Sequence, residues 1–544
     1  LNPRRRDCLH LHRSAMLAGT LCRRLVARPT ITRSIMPLRA RIAHNALHQD
    51  APPSSPDAST SSPDASTSST DAPPSSPDAS PSSPDAPPGS KPVDDPHDVQ
   101  FGARFGLRTI TLNRPKKLNS LDSSMCRKIM PRLREWSLSQ MANVVVIKGE
   151  GRAFCAGGDV ASLAKWNRDG EKKRSVAFFK REYQLDHYIA TYTKPYVAFM
   201  DGITMGGGVG LSIHAPFRIA TENTVFAMPE TTIGFFPDVG ASYFLPKLDG
   251  QLGMYLALTS AQLKGVAAFY AGVATHYLHS ASLPDLETRL AELQFHDYDD
   301  IDHRLRLVNS TIDEFCTGLP HDQPLAEPVA GDIRTAIDYA FHPSRTALED
   351  CLDALEKLSK LEPSPGQLPV IDWARATRAT ILQRSPTSVK VTFHQLRHSA
   401  RWSIAETFLR EHVMAIRFMG HPDFTEGVTA LLIDKPRRAP VWTPPTLKAV
   451  SPDAIRSFFP PPSELRTAWL ERPDGSTDPA APSDAVLADI GLPRESRIDH
   501  VVRDLGPTAT TDDIVQHFLR GRQGTQGVRE KVEEYLRRMR AEER

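Results

Sequence analysis

Apolar and polar positions alternate along LRTITLNRP (Leu107–Pro115) and stop at Asn-Arg-Pro, the pattern of a strand with one buried face that ends in a turn. NVVVIKG (Asn143–Gly149) and KPYVAFMDG (Lys194–Gly202) are continuous apolar runs closed by glycine, which predicts strands buried on both faces. Between them, LDSSMCRKIMPRLREW and SVAFFKREYQLDHYIATY carry helical spacing, the first behind an Asp122 cap. Strands alternating with helices predict an α/β layered core over residues 99–280. From about Ser280 the strand pattern ceases. IRTAIDYAF, ALEDCLDALEKLSKL, VKVTFHQLRHSA and IAETFLREHVMAIRFM predict an α-helical part running to residue 450. Residues 451–544 open proline-rich and then give two predicted helices. One spans about Asp512–Arg520, and the other places Val528, Val532, Tyr535, Leu536 and Met539 on one face.

Upstream of residue 99 no such periodicity exists. Residues 1–50 are rich in Arg, Ser, Leu and Ala and hold only two acids, Asp7 and Asp50, the composition of a mitochondrial transit peptide. A basic RNA-binding arm is the alternative. Residues 51–98 repeat Ser, Pro, Asp and Ala every seven positions without a large apolar side chain, which predicts a disordered spacer rather than a coiled coil. Over the whole chain 66 basic residues balance 64 acidic ones, which argues against a dedicated nucleic-acid binder. Six scattered cysteines without a CxxC pair indicate neither a disulfide framework nor a zinc site, and no metal centre is expected. No apolar run reaches the 18 residues of a membrane span, so no membrane partner is expected.

Three segments carry candidate chemistry: GRAFCAGGD (Gly151–Asp159), ITMGGGVGLSIHAPF (Ile203–Phe217) and FAMPETTIGFFPDVGASYFLPKL (Phe226–Leu248). A strand that runs through a glycine turn into a helix leaves backbone N–H groups unpaired where an anionic oxygen approaches closely. Two facing turns pinch one oxygen between two N–H groups, an oxyanion hole. Dinucleotide binding would need glycine at 211, where Leu211 stands, and no phosphate-binding P-loop occurs. Tight strand–helix packing is the plainer reading of the glycines. Likewise Glu230 reads locally as a turn cap and Asp238 as an Asx-turn residue. Cys155 lacks an identifiable histidine partner and reads as a small buried residue, and His214 as a packed core histidine.

The segments TLNRPKKLNSL, FCAGGDV, KPYVAFMDGITMGGGVGLSIHAPFRIATENTVFAMPETTIGFFPDVGASYFLPKL and LALT together resemble the crotonase (enoyl-CoA hydratase/isomerase) superfamily. With SPTSVKVT and DFTEGVTALLIDK they resemble its 3-hydroxyisobutyryl-CoA hydrolase branch, over roughly Gly102–Val450. The resemblance implies a crotonase-like ββα superhelix spiral with an α-helical C-terminal part. It places the oxyanion hole on the backbone N–H groups of Gly158 and Gly207 and the catalytic carboxylates at Glu230 and Asp238. Glu230 would be the base for water, with direct attack by its carboxylate as the alternative, and Asp238 would orient the water or the substrate hydroxyl. The second glutamate of the hydratases would fall at Gly210, which turns the reading from hydration to hydrolysis. The family's substrate-contacting glutamate would fall near Lys165 or Trp166, with Glu171 as a substitute contact. The implied partner is an acyl-CoA, with no cofactor beyond the substrate's own CoA, in valine breakdown in the mitochondrial matrix. Further implied alternatives are a homo-oligomer, incorporation into the small subunit of the mitochondrial ribosome, and enoyl-CoA hydratase/isomerase activity.

Overall fold

The computed structural model describes residues 95–542 apart from 297, 317, 320–324, 326, 364–366, 466–468, 474–482 and 521–525. The expected transit peptide and nearly all of the expected spacer lie outside the described residues. Strands β1 (Val99–Arg104) and β2 (Leu107–Leu112) form an antiparallel hairpin. β3 (Val144–Gly149), β5 (Tyr196–Met200), β7 (Phe217–Ala220) and β10 (His276–Tyr277) then add in parallel, in the order β1-β2-β3-β5-β7-β10. A second, smaller sheet holds β4 (Ala153–Cys155), β6 (Ile203–Met205) and β8 (Val225–Ala227) in parallel, with β9 (Leu263–Lys264) antiparallel at its edge. The topology is a repeat: β3, β5 and β7 in the large sheet are each followed by β4, β6 and β8 in the small one, then by helical chain. This is the expected ββα spiral.

Local chemistry starts and orients the helices. Helix α1 (Ser123–Leu138) begins where the Asp122 carboxylate accepts the N–H groups of Ser124 and Met125, at 2.9 and 3.0 Å. It buries Met125, Ile129, Leu133 and Trp136 along one stripe. Helices α2 (Val160–Arg168), α3 (Lys172–Ala190) and α4 (Gly207–Ile213) belong to the spiral. The helical part contributes α5 (Leu252–Thr259), α6 (Gly331–Ala340), α7 (Pro386–His398) and α8 (Ile404–Gly420). It is not a separate body. Helix α8 packs along α3, with Phe408 6.0 Å from Tyr183 and Phe418 stacked on Phe236 at 5.2 Å between ring centres. One hydrophobic core therefore runs through residues 99–280 and 281–450.

The extension ends in three helices, α9 (Glu495–Leu505), α10 (Thr511–Leu519) and α11 (Val528–Glu542). The sequence reading found the last two and missed α9, although Ile498, Val501 and Leu505 follow helical spacing. The three share a small core in which Val528, Val532, Tyr535 and Leu536 are buried and Met539 packs against them, the predicted face. The bundle meets the core through charges. Lys531 reaches Asp249 at 2.8 Å, and Arg538 bonds Glu534 (3.0 Å) and Glu495. Glu495 also pairs with Arg334 of α6 at 3.1 Å. The arginine-rich last helix is thus packed on its own chain.

Removing one member of a buried ionic network leaves an uncompensated charge, typically at a cost of about 3–5 kcal/mol. Arg538→Ala is expected to lower the unfolding free energy by about that much. Arg529→Ala, on the exposed side of the same helix, is expected to cost under ~0.5 kcal/mol. Urea denaturation of the two variants checks the contrast.

Candidate active site

β3 passes through β4 into Gly157–Gly158, and β5 passes through β6 into Gly206–Gly207. Because β4 and β6 pair in parallel, the two glycine turns lie side by side. Gly157 (φ +108°) and Gly206 (φ +45°) take backbone conformations that favour glycine. A Cβ on Gly206 would sit 3.3 Å from the Gly157 Cα, and one on Gly207 would sit 3.4 Å from the Gly158 nitrogen. Neither the Gly158 nor the Gly207 N–H donates to a backbone carbonyl among the described residues. Two free donors at adjoining turns are what an oxyanion hole requires.

Helix α3 lies across these turns. The Phe178 ring is 3.4 Å from where a Gly158 Cβ would be, and Glu182 Oε1 is 2.5 Å from where a Gly207 Cβ would be. One turn on, the Asp186 carboxylate lies 2.5 Å from the place of a Gly210 Cβ. Gly208 faces the other way, against Cys155, whose Cβ is 2.8 Å from a built Cβ. The bare glycines therefore admit acidic side chains on one face of α4 and the preceding strand on the other.

The two expected catalytic carboxyls meet this constellation. Glu230 opens the 3-10 turn Glu230–Ile233 and is 5% exposed. Its Oε1 lies 3.2 Å from the position of a Gly206 Cβ, and its Oε2 has no partner among the described residues. Asp238 is buried and accepts a 2.6 Å hydrogen bond from the Tyr183 hydroxyl. The turn that carries Asp238 is strained, since the next residue, β-branched Val239, sits at φ +54°. Its surroundings hold it there. His214 Nε2 is 2.9 Å from the Val239 carbonyl, and Gln395 of α7 donates to the Pro237 carbonyl at 2.8 Å. Glu411 of α8 accepts the Gly240 N–H (2.7 Å), the Ser242 N–H (2.9 Å) and the Ser242 hydroxyl (2.7 Å).

Five buried carboxyls thus converge, and no lysine or arginine side chain bonds any of them among the described residues. Burial, and then the Asp238 and Glu411 charges, hold Glu230 well above the ordinary carboxylate range. Burial does the same to Glu182 and Asp186, reinforced by neighbouring acids. Burial pushes Asp238 up to about 7, the Tyr183 hydrogen bond opposing it, and Glu411 up to about 8. Burial raises both Glu230 and Asp238, and the two titrate as a coupled pair.

The structure places Gly158 and Gly207 at adjoining turns, Glu230 beside Gly206, and Asp238 on the Tyr183 hydroxyl of the helix that covers those turns. It does not bring in Glu171, which stands at the exposed N-cap of α3 and pairs with Arg174. The carboxyl that α3 delivers is Glu182, about three helical turns further on. Sequence reasoning also missed Tyr183, Asp186 and Glu411. Their signal was acidic residues on helix faces otherwise lined by Phe178, Phe179, Leu185 and Phe408. Cys155 is a buried thiol pushed up by burial to about 12, which leaves it unreactive. His214 is pushed down by burial to about 4, so it is neutral and serves as a packed donor to Val239.

Residues 107–459 match the family described as enoyl-CoA hydratase/isomerase. The chain belongs to that family. Among relatives of this family member, the small ribosomal subunit protein mS47 of Neurospora crassa is 50% identical over 467 residues, covering 82% of this chain and 87% of that protein. The mitochondrial 3-hydroxyisobutyryl-CoA hydrolase of Danio rerio is 42% identical over 351 residues, covering 64% of this chain and 86% of its own. In solved structures, a carnitinyl-CoA dehydratase from Mycobacterium thermoresistibile superposes with a TM-score of 0.57 at 31% identity, over 68% of this chain and 98% of that one.

An acid whose pKa rises on folding takes up a proton as the chain folds, between its unfolded value near 4 and its folded value. Its stabilising contribution is whole below that window and is lost as pH rises through the folded value. For Glu411 the window ends near pH 8. The unfolding free energy of the wild type, read from urea titrations, is expected to fall between pH 5.5 and 8.5, by up to about 1.4 kcal/mol per pH unit for one such group. Glu411→Gln should show a shallower fall, whatever its absolute stability. Equal slopes in the two proteins would remove Glu411 from the set of raised acids.

Proposed function

We propose that the chain hydrolyses the thioester of a short 3-hydroxyacyl-CoA in the mitochondrial matrix, with 3-hydroxyisobutyryl-CoA, the compound its hydrolase relatives are named for, as substrate. The observation that carries this reading is the placing of two glycine N–H groups without backbone acceptors at turns that adjoin Glu230 and the helix bonded to Asp238. The thioester carbonyl oxygen accepts hydrogen bonds from the Gly158 and Gly207 N–H groups. The pair holds one proton: Asp238 carries the charge that withdraws a proton from water and Glu230 carries the single proton, the reverse of the roles that the family resemblance implied. Attack by the water oxygen places negative charge on the carbonyl oxygen, where the two N–H groups stabilise it. Collapse breaks the carbon–sulfur bond, and the departing thiolate takes the proton from Glu230, leaving the free acid and CoA. Each step uses only the chain's own carboxyls and amides.

Purified protein is expected to release free CoA from 3-hydroxyisobutyryl-CoA, with kcat/KM rising through a pH near 7 as Asp238 ionises. Glu230→Gln should lower the rate by about 10²–10⁴-fold, and Asp238→Asn should abolish the rise with pH. Addition of water to an enoyl-CoA at a rate exceeding thioester cleavage would move the chemistry to the hydratase side, Asp186 then standing where Gly210 lacks a carboxyl.

A second, compatible reading follows from coverage. The Neurospora crassa ribosomal relative matches 82% of this chain and the Schizosaccharomyces pombe one 63%, whereas the Danio rerio and Gallus gallus hydrolases match 64% and 68%. What this chain has beyond hydrolase length is therefore shared in part with a ribosomal protein. We infer that it also assembles with the small subunit of the mitochondrial ribosome. Co-sedimentation of the tagged chain with that subunit in a sucrose gradient supports this, and recovery only at the top of the gradient overturns it.

A further inference from the structure

Beyond residue 459, where the family match ends, the chain runs back over the helices that carry the site. The Pro460 carbonyl accepts from Arg410 of α8 at 3.2 Å, and Glu464 pairs with Arg417 of α8 at 2.9 Å. Further on, Trp469 and Glu471 lie along one stripe of α3. Gln184 donates from Nε2 to the Trp469 carbonyl at 2.6 Å, and His187 donates from Nδ1 to the Glu471 carbonyl at 3.1 Å. The Glu471 carboxylate pairs with Arg134 of α1. Trp469 and Leu470 pack against the main hydrophobic core.

From the Trp469 ring a line of contacts leads to Asp238. The ring sits against both α3 and α8, with the Lys180 ammonium 5.8 Å from its centre and the His412 ring 5.0 Å away. The His412 ring meets the Tyr183 ring at 6.4 Å, edge to face. The Tyr183 hydroxyl in turn donates to Asp238 at 2.6 Å. His412 also follows Glu411, which accepts the Gly240 and Ser242 N–H groups of the Asp238 turn. Burial pushes His412 down to about 4, so its ring is neutral and acts by packing.

We propose that Trp469 is a positioning residue for Asp238: by filling the space between α3 and α8 it holds His412 against Tyr183, and so keeps the Tyr183 hydroxyl on the carboxyl. The Asp238 turn adopts a conformation that its own backbone disfavours, so its place depends on contacts from outside. Deleting a large ring leaves a space into which the neighbouring side chains shift. The residue that does this lies in the extension, outside the part of the chain that the family match covers. The kinetic consequence rests on the hydrolysis proposed above; the structural one does not.

The test uses the full chain with Trp469→Ala, Trp469→Phe, Tyr183→Phe and the double variant Trp469→Ala/Tyr183→Phe. Glu464→Ala, at an exposed ion pair of the same extension, is the control. In amide hydrogen exchange, Gly240 and Ser242 are expected to exchange roughly fivefold faster or more in Trp469→Ala, while the amides of β3 stay within about twofold of the wild type. With 3-hydroxyisobutyryl-CoA, Trp469→Ala should lower kcat about tenfold and leave KM within about twofold, since a small misplacement of a catalytic group acts on turnover. Trp469→Phe should recover most of that loss. Added to Tyr183→Phe, Trp469→Ala should slow turnover by less than about twofold more, because residues acting along one line are not additive. Unchanged exchange in the Asp238 turn, faster exchange spread through β3, or a double variant slowed by the product of the single effects would overturn the proposal. A wild type that leaves the thioester intact would remove the hydrolysis reading, and the exchange contrast between Trp469→Ala and Glu464→Ala would still decide this one.

Discussion

Everything in the site depends on how closely backbone and side chain approach at Gly157–Gly158 and Gly206–Gly208. A single Cβ at Gly207 would lie 2.5 Å from the Glu182 carboxylate, and one at Gly208 would lie 2.8 Å from Cys155. Parallel pairing of β4 with β6 brings the turns together, and the missing side chains let α3 close over them. The glycines cost backbone entropy in the unfolded chain. What they return is two N–H groups at one point beneath a helix that carries acids.

Those acids explain why the helical part is inseparable from the spiral. Asp238 rides on a turn with a β-branched residue at positive φ, a conformation that persists only if its surroundings over-determine it. Gln395 and Glu411 provide that from α7 and α8, and the Phe236–Phe418 stack anchors α8 behind them. Glu411 is itself an acid kept buried against its preference for water, so the spiral's carboxyl pair is poised by a residue more than 170 positions downstream. A chain cut near residue 280 would keep the strands and lose the geometry of Asp238.

The C-terminal bundle shows the same logic at larger scale. Its helices carry their own small core, yet Arg538, Lys531 and Glu495 spend their charge inward on Arg334 and Asp249.

Hydrophobic periodicity and glycine spacing by themselves determined strands β2, β3 and β5, helices α1 and α3, the capped start at Asp122 and the glycine turns, while Glu230 and Asp238 were singled out by the resemblance to the family. These are local matters, set by side-chain period, by turn chemistry and by motif resemblance. Only the tertiary structure decided that Glu182 rather than Glu171 reaches the glycine turns, that Asp186 fills the space above Gly210, and that Glu411 holds the Asp238 turn. The reason is physical: an acid's role depends on which atoms surround it after burial. Nothing in the spacing of α3 or α8 records which distant turn each face will meet.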